Sequence, residues 1–499
     1  MKKFTLIKLI VSNHEKIIFD VQFANNNLRT RESLLSTVII GENGTGKSYL
    51  LTVISEVFRA IDLKRKNKDK DINLRYEIYK LEYYIDDNHY SIEVKNNKFV
   101  IINKNNKSID IQHLSLPKRI LAVSFMVNDK FTFASHKEIP HADEVYKYLG
   151  IRRTSNAAWT TSIVKRVSDS LVANSSNKTF HLKVKDILGF LNFKPKISLV
   201  FEPTRKTLFT KKITLKTLND KVNKYKNSND YRTDAIKKFS KEDIKQLQNY
   251  INSEAITRNH TDINNRTGLE FTLELDKNKN NNFILKDYKT LLKLIDLKLL
   301  NSPVLKFYKD DEFEFEQASS GEKHLIFTLI NIASEIEEGS LVLIDEPELS
   351  LHPNWQLNYI NNLKKIFQEY SSNHFILATH SHYLVSDLEK SSSSIVHISL
   401  EKTKSELNRK ARLIEMDTYA WSAENVLYNI FEVRTVRNYY FEMDLRRLIS
   451  LIKDKSTDTK QIQDLIQKLK RYTLDENDPI NIIIYDAERY LDNVADTRK

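Results

Sequence analysis

The sequence predicts an α/β fold with an N-terminal antiparallel β lobe, an inserted and mainly helical module, and a helical C-terminal tail. Three observations carry this reading. The β-branched, apolar stretch Ser36–Ile40 runs into a glycine-rich loop and then into helical spacing of Leu50, Leu51, Val53, Ile54, Val57, Phe58 and Ile61. Stretches that alternate apolar and polar residues flank this unit, the pattern of strands with one wet face. After residue 312, short apolar runs alternate with helical patterns, which means parallel strands joined by crossover helices.

Taken in order, Phe4-Thr5-Leu6-Ile7-Lys8-Leu9 alternates as a first strand, and Phe19, Val21 and Phe23 mark a second. Ser36–Ile40 is the third. Lys64–Lys70 is a charge-rich surface turn. Leu74–Tyr84, His89–Val94 and Phe99–Ile102 form a meander with Asn/Asp turns, and Ile120–Val127 is a further strand. From 150 to 300 the pattern thins. Ser162–Val172 and Glu242–Ile251 read as helices, Ile197–Phe201 and Glu270–Leu275 as strands, and Asn278–Asn282 as a polar loop. No heptads persist, so a long coiled coil is excluded. Phe313–Phe315 leads into a helix through about Glu335. Leu341–Ile344 is a buried strand, Asn354 to Phe367 a helix and His374–Ala378 a strand. From about 417 the chain is mostly helical, with an apolar strand candidate at Ile480–Tyr485. The expected division is 1–149, 150–311, 312–416 and 417–499.

Composition narrows the function. The chain has 499 residues, and its 78 Lys and Arg against 66 Asp and Glu leave a net charge of +12, which suits contact with a polyanion. With 40% apolar residues it can bury a core, which excludes a wholly disordered chain. There is no cysteine, so disulfides, thiolate metal sites and Cys nucleophiles are excluded and a cytoplasmic location is expected. Apolar runs such as Leu325–Ile330 are too short to span a bilayer, and Lys8 interrupts the N-terminal run, so no membrane association is expected.

Three of the eight glycines fall in Gly41-Glu42-Asn43-Gly44-Thr45-Gly46-Lys47-Ser48, a full G-x-x-x-x-G-K-[ST] motif. Glycine lets the backbone curl so that successive N–H groups face one anion, and the following helix adds its positive end. Lys47 is placed to reach the β- and γ-phosphates of ATP, and the Ser48 hydroxyl to ligate Mg²⁺. Leu341–Ile344 delivers Asp345 and Glu346 at a strand end, where ligands bind in open α/β sheets. Asp345 is the candidate Mg²⁺ ligand and Glu346 the candidate general base. Neighbouring acids on a strand point to opposite faces, which gives them separate tasks.

With Ser319-Ser320-Gly321-Glu322, Ala378-Thr379-His380-Ser381 and the two motifs above, in that chain order, the sequence resembles an ABC-type P-loop ATPase. The resemblance covers about residues 1–130 and 312–400. It implies that Ser319, Gly321 and Glu322 form the signature loop, which caps the γ-phosphate of ATP held by another copy. Two chains therefore pair as a head-to-tail homodimer, possibly within a higher oligomer. It also implies that His380 is the switch histidine contacting the γ-phosphate, which explains His374, His380 and His382 better than a metal site does. Glu348-Leu349-Ser350-Leu351-His352-Pro353 falls at the dimer-contact loop, and its Leu-His-Pro form resembles the RecF-like and overcoming-lysogenization-defect branch. The expected Q-loop glutamine is missing after Ile120–Val127. Asn128 is the nearest polar candidate, with Asp129 beside it.

A TOPRIM nuclease needs an apolar strand ending in Glu-Gly and a later Asp-x-Asp strand. Ile395–Leu400 ends in Glu401-Lys402, and Ile480–Tyr485 ends in Asp486-Ala487-Glu488, so nuclease activity is not expected in this chain. The resemblance then narrows to ABC-type ATPases of Septu- and retron-associated anti-phage systems, which act with a separate nuclease subunit of HNH type. Trp421–Leu427 is similar to the helical start that follows the core in that group. Lys64-Arg65-Lys66, Arg152-Arg153, Lys211-Lys212, Lys237-Lys238 and Arg446-Arg447 are candidates for contact with nucleic acid without sequence readout. The alternatives are a RecF-like clamp for DNA repair or DNA ends, and an ATP-locked scaffold with negligible hydrolysis.

Overall fold

Three β-sheets organise the chain in the computed structural model. It describes residues 3–14, 16–66, 73–126, 128–132, 144–150, 159–226, 234–253, 260–263, 266–276, 282–309, 312–402, 407–431, 438–454, 456, 458–472 and 480–496. These fall into two compact units, 1–420 and 421–499. Of the turn expected at Lys64–Lys70, residues 64–66 are helical instead, and 67–70, most of the loop at 278–282 and Arg152-Arg153 lie outside the described residues.

The chain opens with β1 (Phe4–Asn13) and β2 (Lys16–Gln22), then β3 (Leu35–Ile40) and α1 (Lys47–Lys66). Next come β4 (Ile78–Ile85), β5 (Asn88–Lys95), β6 (Lys98–Lys104) and β7 (Lys107–Ser108). These join β1 and β2 in an antiparallel sheet of order β2-β1-β4-β5-β6-β7. The asparagine turns behave as their chemistry requires. Asn96 and Asn97, and Asn105 and Asn106, take left-handed backbones in two-residue hairpin loops.

After β8 (Ile120–Ser124) and β9 (Tyr146–Tyr148) come α2 (Trp159–Ala173), α3 (Lys178–Phe190), β10 (Lys196–Phe201), α4 (Leu215–Lys226), α5 (Asp234–Lys237) and α6 (Lys241–Ile251). β11 (His260–Ile263), β12 (Arg266–Glu274), α7 (Asn282–Asp296), β13 (Val304–Tyr308) and β14 (Glu312–Glu314) follow. The inserted module is mainly helical, as expected, yet it also builds an antiparallel sheet of order β11-β12-β10-β13-β14. That sheet runs past the expected boundary at 311. β10 and β12 lie where Ile197–Phe201 and Glu270–Leu275 read as strands, whereas the short β11 and β13 left little periodicity to read.

The chain then forms α8 (Ser320–Glu335), β15 (Leu341–Asp345), α9 (Pro353–Leu357), α10 (Tyr359–Ile366), β16 (His374–Ala378), β17 (Ser393–Lys402) and β18 (Leu407–Ile414). The central sheet has the order β18-β17-β3-β16-β15-β8-β9, parallel throughout except for the antiparallel β17–β18 pair. Its inner strands β3, β15 and β16 are buried at every residue. α1 buries Leu50, Val53, Ile54, Val57 and Phe58 in one cluster with Phe4 and Tyr83 of the lobe and Leu343 and Ile376 of the central sheet. His374 pins these layers. Its Nδ1 accepts the Leu6 N–H at 3.1 Å, so the proton sits on Nε2, 2.8 Å from the Thr37 hydroxyl. The helix read across Asn354–Phe367 is interrupted at Asn358, which ends α9 and precedes α10.

The second unit contains α11 (Ala423–Asn429), α12 (Tyr439–Lys453), α13 (Thr459–Tyr472) and α14 (Ile480–Asp496). The strand expected at Ile480–Tyr485 is therefore a helix. Ile480, Ile484 and Ala487 recur at helical spacing and bury against Ile462, Leu465, Ile466 and Leu469, while Ile482 and Tyr485 stay exposed. A short apolar run does not distinguish strand from buried helix face, and the packing partner decided it. Among the described residues no helix is long and apolar enough to cross a membrane.

Candidate nucleotide-binding site

The register of the central sheet gathers the candidate residues at one edge. Ala378 pairs with Ile39 and with Asp345, and Asp345 pairs with Ser124. The loop after β3, the acids at the end of β15, the turn after β16 and the segment after β8 thus leave the sheet side by side. This is the carboxyl edge, where parallel sheets bind ligands.

The loop 41–48 is held tightly. Gly41 has φ +150, and a Cβ there would lie 2.1 Å from the Ile398 carbonyl oxygen. Gly46 has φ +96, and a Cβ would lie 3.1 Å from Arg409 Nε. No other residue type fits either position without displacing its neighbours. The Thr45 hydroxyl donates to the Glu42 carbonyl at 2.9 Å. Lys47 is buried and folds back over the loop, where Nζ donates to the carbonyls of Gly41 at 2.9 Å and Glu42 at 3.2 Å. The same Nζ lies 2.9 Å from His380 Nε2. Burial pushes the Lys47 ammonium down to about 8, against the pull of Glu346, Glu348 and Asp345.

Asp345 ends β15 and is almost fully buried. Burial drives its carboxyl up to about 7, opposed by a hydrogen bond with Ser48 and assisted by Glu346, Asp129 and Glu348. Its Oδ1 is buried with no hydrogen-bond partner. Glu346 leaves the strand with φ +48, its N–H donates to the Ala378 carbonyl at 2.9 Å, and its carboxylate lies 3.8 Å from His380 Nε2. The left-handed turn at Glu346 ends the strand alternation, and both carboxylates act on Lys47. Glu348 accepts the His380 N–H at 2.6 Å, its other oxygen is buried without a partner, and burial raises its pKa.

The signature segment is ordered by a different device. Ser319 caps α8. Its hydroxyl accepts the Glu322 N–H at 3.2 Å, while Glu322 Oε2 takes the Ser319 N–H and hydroxyl, each at 2.9 Å. Lys309 reaches the other Glu322 oxygen at 2.9 Å. Burial raises the Glu322 pKa, but the hydrogen bonds from Lys309 and Ser319 outweigh it and hold the group below its ordinary value. A Cβ on Gly321 would lie 2.7 Å from the Ser350 carbonyl oxygen and 3.1 Å from the Trp355 ring. Ser319→Ala is expected to cost about 1 kcal/mol as a lost N-cap. Gly321→Ala is expected to lower the urea midpoint further, because backbone must move. Among the described residues no hydrogen bond or ion pair joins 319–322 to 41–48.

His324, one turn into α8, stacks on Phe125 at 4.4 Å, and its Nδ1–H donates to the Leu349 carbonyl at 2.7 Å. Burial depresses its pKa to about 4. The unfolded chain therefore takes up this proton first, and the stability His324 contributes is present above pH 6.5 and lost as pH falls toward 4. His324→Asn keeps a donor for Leu349 and removes the titration. Its thermal midpoint is expected to fall less than wild type between pH 6.5 and about 4.

Residues 36–386 match a family described as "AAA domain, putative AbiEii toxin, Type IV TA system". The chain belongs to this AAA-domain family. The chain is also similar to solved structures. The SMC head domain from Thermotoga maritima is 11% identical, with 83% of this chain and 99% of that chain covered and a TM-score of 0.36. A Pyrococcus furiosus Smc head domain, with an extended coiled coil and bound to the C-terminal domain of ScpA, is 11% identical, with 83% and 96% covered and a TM-score of 0.33.

In this AAA-domain ATPase the structure brings Gly41–Ser48, Asp345, Glu346 and His380 together at one sheet edge. It holds Ser319, Gly321 and Glu322 in a separate cap. Asn128 is exposed, whereas Asp129 is buried beside Asp345, with Oδ1 accepting the Phe131 N–H at 3.0 Å and Oδ2 the Tyr148 hydroxyl. Sequence reading gave no role to His324 or Arg409, and placed Glu348 only at the head of the dimer-contact loop. Glu348 sits inside the acidic motif and could have been found as its second glutamate. Arg409 donates from Nε to the Thr45 carbonyl at 2.9 Å from 364 positions away, and no local signal marks it.

The residues present fit Mg²⁺. The buried Asp345 carboxyl, hydrogen-bonded with Ser48 and with one oxygen left orphaned, makes with the Ser48 hydroxyl a hard-oxygen donor pair. Among the described residues no group of three or more His, Cys, Asp or Glu could hold a metal alone. A cation held by Ser48 and Asp345 would need further oxygen ligands from outside these two side chains.

Proposed function

We propose that this AAA-domain ATPase binds ATP–Mg²⁺ on Gly41–Ser48 and hydrolyses it, with Glu346 as general base. The observation that supports this best is the buried, partnerless Asp345 oxygen placed against Ser48, within the field of Lys47. A carboxylate is kept there at a cost in desolvation, and a cation offsets that cost. Residues 1–149 and 312–416 form the ATPase, 150–311 an accessory module and 417–499 a partner-docking region.

Each residue then has a task. Lys47 exchanges the carbonyls of Gly41 and Glu42 for the β- and γ-phosphates, a charge-assisted contact that outweighs a neutral one. Ser48 and Asp345 hold Mg²⁺, which neutralises phosphate charge when bound. Glu346 accepts the proton of the attacking water. His380 contacts the γ-phosphate, and Glu348 fixes the backbone of His380. Ser319 and Gly321 present the N-terminus of α8 to the γ-phosphate on a second copy, so the active form is a head-to-tail homodimer.

The anti-phage reading follows from the Septu- and retron-like motif set without a nuclease. The ATPase cycle, on nucleic acid, licenses a separate HNH-type nuclease subunit. The test is turnover by the purified chain with and without DNA, combined with the identity of what copurifies at native expression. An associated nuclease whose activity follows ATP supports the reading. Turnover without any associated nuclease reduces it to an ATPase of the clamp type. Asp345→Asn is expected to remove Mg²⁺-dependent turnover.

A further inference from the structure

The inserted module carries a cluster of positive charge that the ATPase chemistry leaves unused. Lys221, on α4, is half-buried, and its Nζ donates to the Lys298 carbonyl at 3.3 Å. The Thr204 hydroxyl donates to the same carbonyl at 3.0 Å, which ties the segment after β10 to the turn after α7. Lys298 has a left-handed backbone, φ 52, and its Nζ lies 5.4 Å from the centre of the Tyr225 ring. Lys221, Lys224 and Tyr225 share one face of α4 at spacings of three and four.

The charges that bear on Lys221 are Arg205, Lys224 and Lys298, all of its own sign. With burial as the larger cause, they push its ammonium below the ordinary value. Among the described residues none of these four cations has an ion-pair partner within 4 Å. Like charges at this spacing repel, and the fold tolerates the cost by anchoring Lys221 on a carbonyl. An anion arriving from outside gains the free energy that this repulsion stores. The cations span a helix face and two flanking segments, which suits a chain of phosphates better than one small anion.

We propose that Arg205, Lys221, Lys224 and Lys298 form a contact surface for the phosphodiester backbone of nucleic acid, with Tyr225 beside it as a stacking face. The four cations act as a sequence-independent clamp, and bases that leave the stack rest on Tyr225. This deepens the nucleic-acid part of the proposed function and rests on it for the class of ligand.

The test compares the full-length chain with a variant carrying Arg205→Gln, Lys221→Gln, Lys224→Gln and Lys298→Asn. Asparagine is chosen at 298 because it tolerates the left-handed backbone. Both proteins are titrated into fluorescein-labelled single-stranded and duplex DNA between about 50 and 200 mM salt. The variant is expected to bind at least tenfold more weakly at low salt. On duplex DNA its slope of log affinity against log salt is expected to be shallower by about 3.6, about 0.9 for each of the four cations. Unstimulated ATP turnover is unchanged. Equal affinity and slope in the two proteins overturn this assignment and leave the nucleic-acid reading standing. A wild-type chain that binds neither DNA nor RNA overturns both. Wild-type binding to polyglutamate as tight as to DNA overturns the assignment in favour of an acidic protein. If the fourfold variant unfolds early, Lys224→Glu at an exposed position decides alone, and an unchanged salt slope there overturns the surface.

Discussion

Glu346→Gln is expected to lower ATP turnover by about 10²- to 10⁴-fold, the range for removing a positioned general base. ATP affinity is expected to stay near wild type. The geometry gives the reason. Glu346 is set outside β15 by its left-handed backbone, and its N–H remains bound to the Ala378 carbonyl whatever the side chain carries. Glutamine keeps the size of the group and its place near His380, and loses only the ability to take a proton. The substitution also removes one of the charges that bear on Lys47 and Asp345, so nucleotide binding does not suffer from new repulsion. Single-turnover hydrolysis and equilibrium binding of a fluorescent ATP analogue check the two halves. Turnover at the wild-type rate removes Glu346 from the role of base. A parallel loss of binding assigns it to holding the nucleotide instead.

Lys47→Ala is expected to act on binding as well as turnover. A charge-assisted hydrogen bond is worth about 1.5–3 kcal/mol, which corresponds to roughly 10- to 100-fold in ATP affinity. Turnover falls further, because the missing charge would also stabilise the transferring phosphoryl group. There is a second consequence in the nucleotide-free protein. Lys47 is a cation acting among Asp345, Glu346 and Glu348, so its loss is expected to raise the proton affinity of those acids. Lys47→Arg is expected not to restore function, since a planar guanidinium does not reproduce the point contacts that the ammonium makes with the carbonyls of Gly41 and Glu42. ATP affinity by calorimetry, followed for Lys47→Ala and Lys47→Arg together, checks this. Wild-type affinity in either variant overturns the assignment.

Local chemistry made much of this molecule legible in advance. A strand, three glycines, a lysine and a serine in fixed order demand one backbone path, and asparagine pairs demand left-handed hairpin turns. β3, α1, β15 and β16 therefore appear where their patterns put them. The candidate residues on those elements were found together for the same reason, because each lies within a few positions of the strand end that presents it.

What was not legible depends on neighbours far away in the chain. Ile480–Tyr485 has the composition of a strand and is a helix because α13 offers its face a place to bury. In the inserted module β10 and β12 were readable, but that they pair with each other and with β13 was not, because those partners lie tens of residues apart. Asp129 rather than Asn128 is buried after β8, with its carboxylate held by the Phe131 N–H and the Tyr148 hydroxyl. Arg409 reaches the phosphate loop only because β18 lies beside β17, which pairs with β3.

The sequence by itself determined that a phosphate-binding loop, a strand-end acid pair and a histidine turn exist, since each is written in contiguous residues whose conformation is set by sterics and local hydrogen bonds. The tertiary structure alone decided which groups share a site and which charges are desolvated, namely the orphaned oxygen of Asp345, the grip of Glu348 on His380 and the crowding of Lys221. Burial and field are sums over atoms from many segments, and no single stretch of chain contains them.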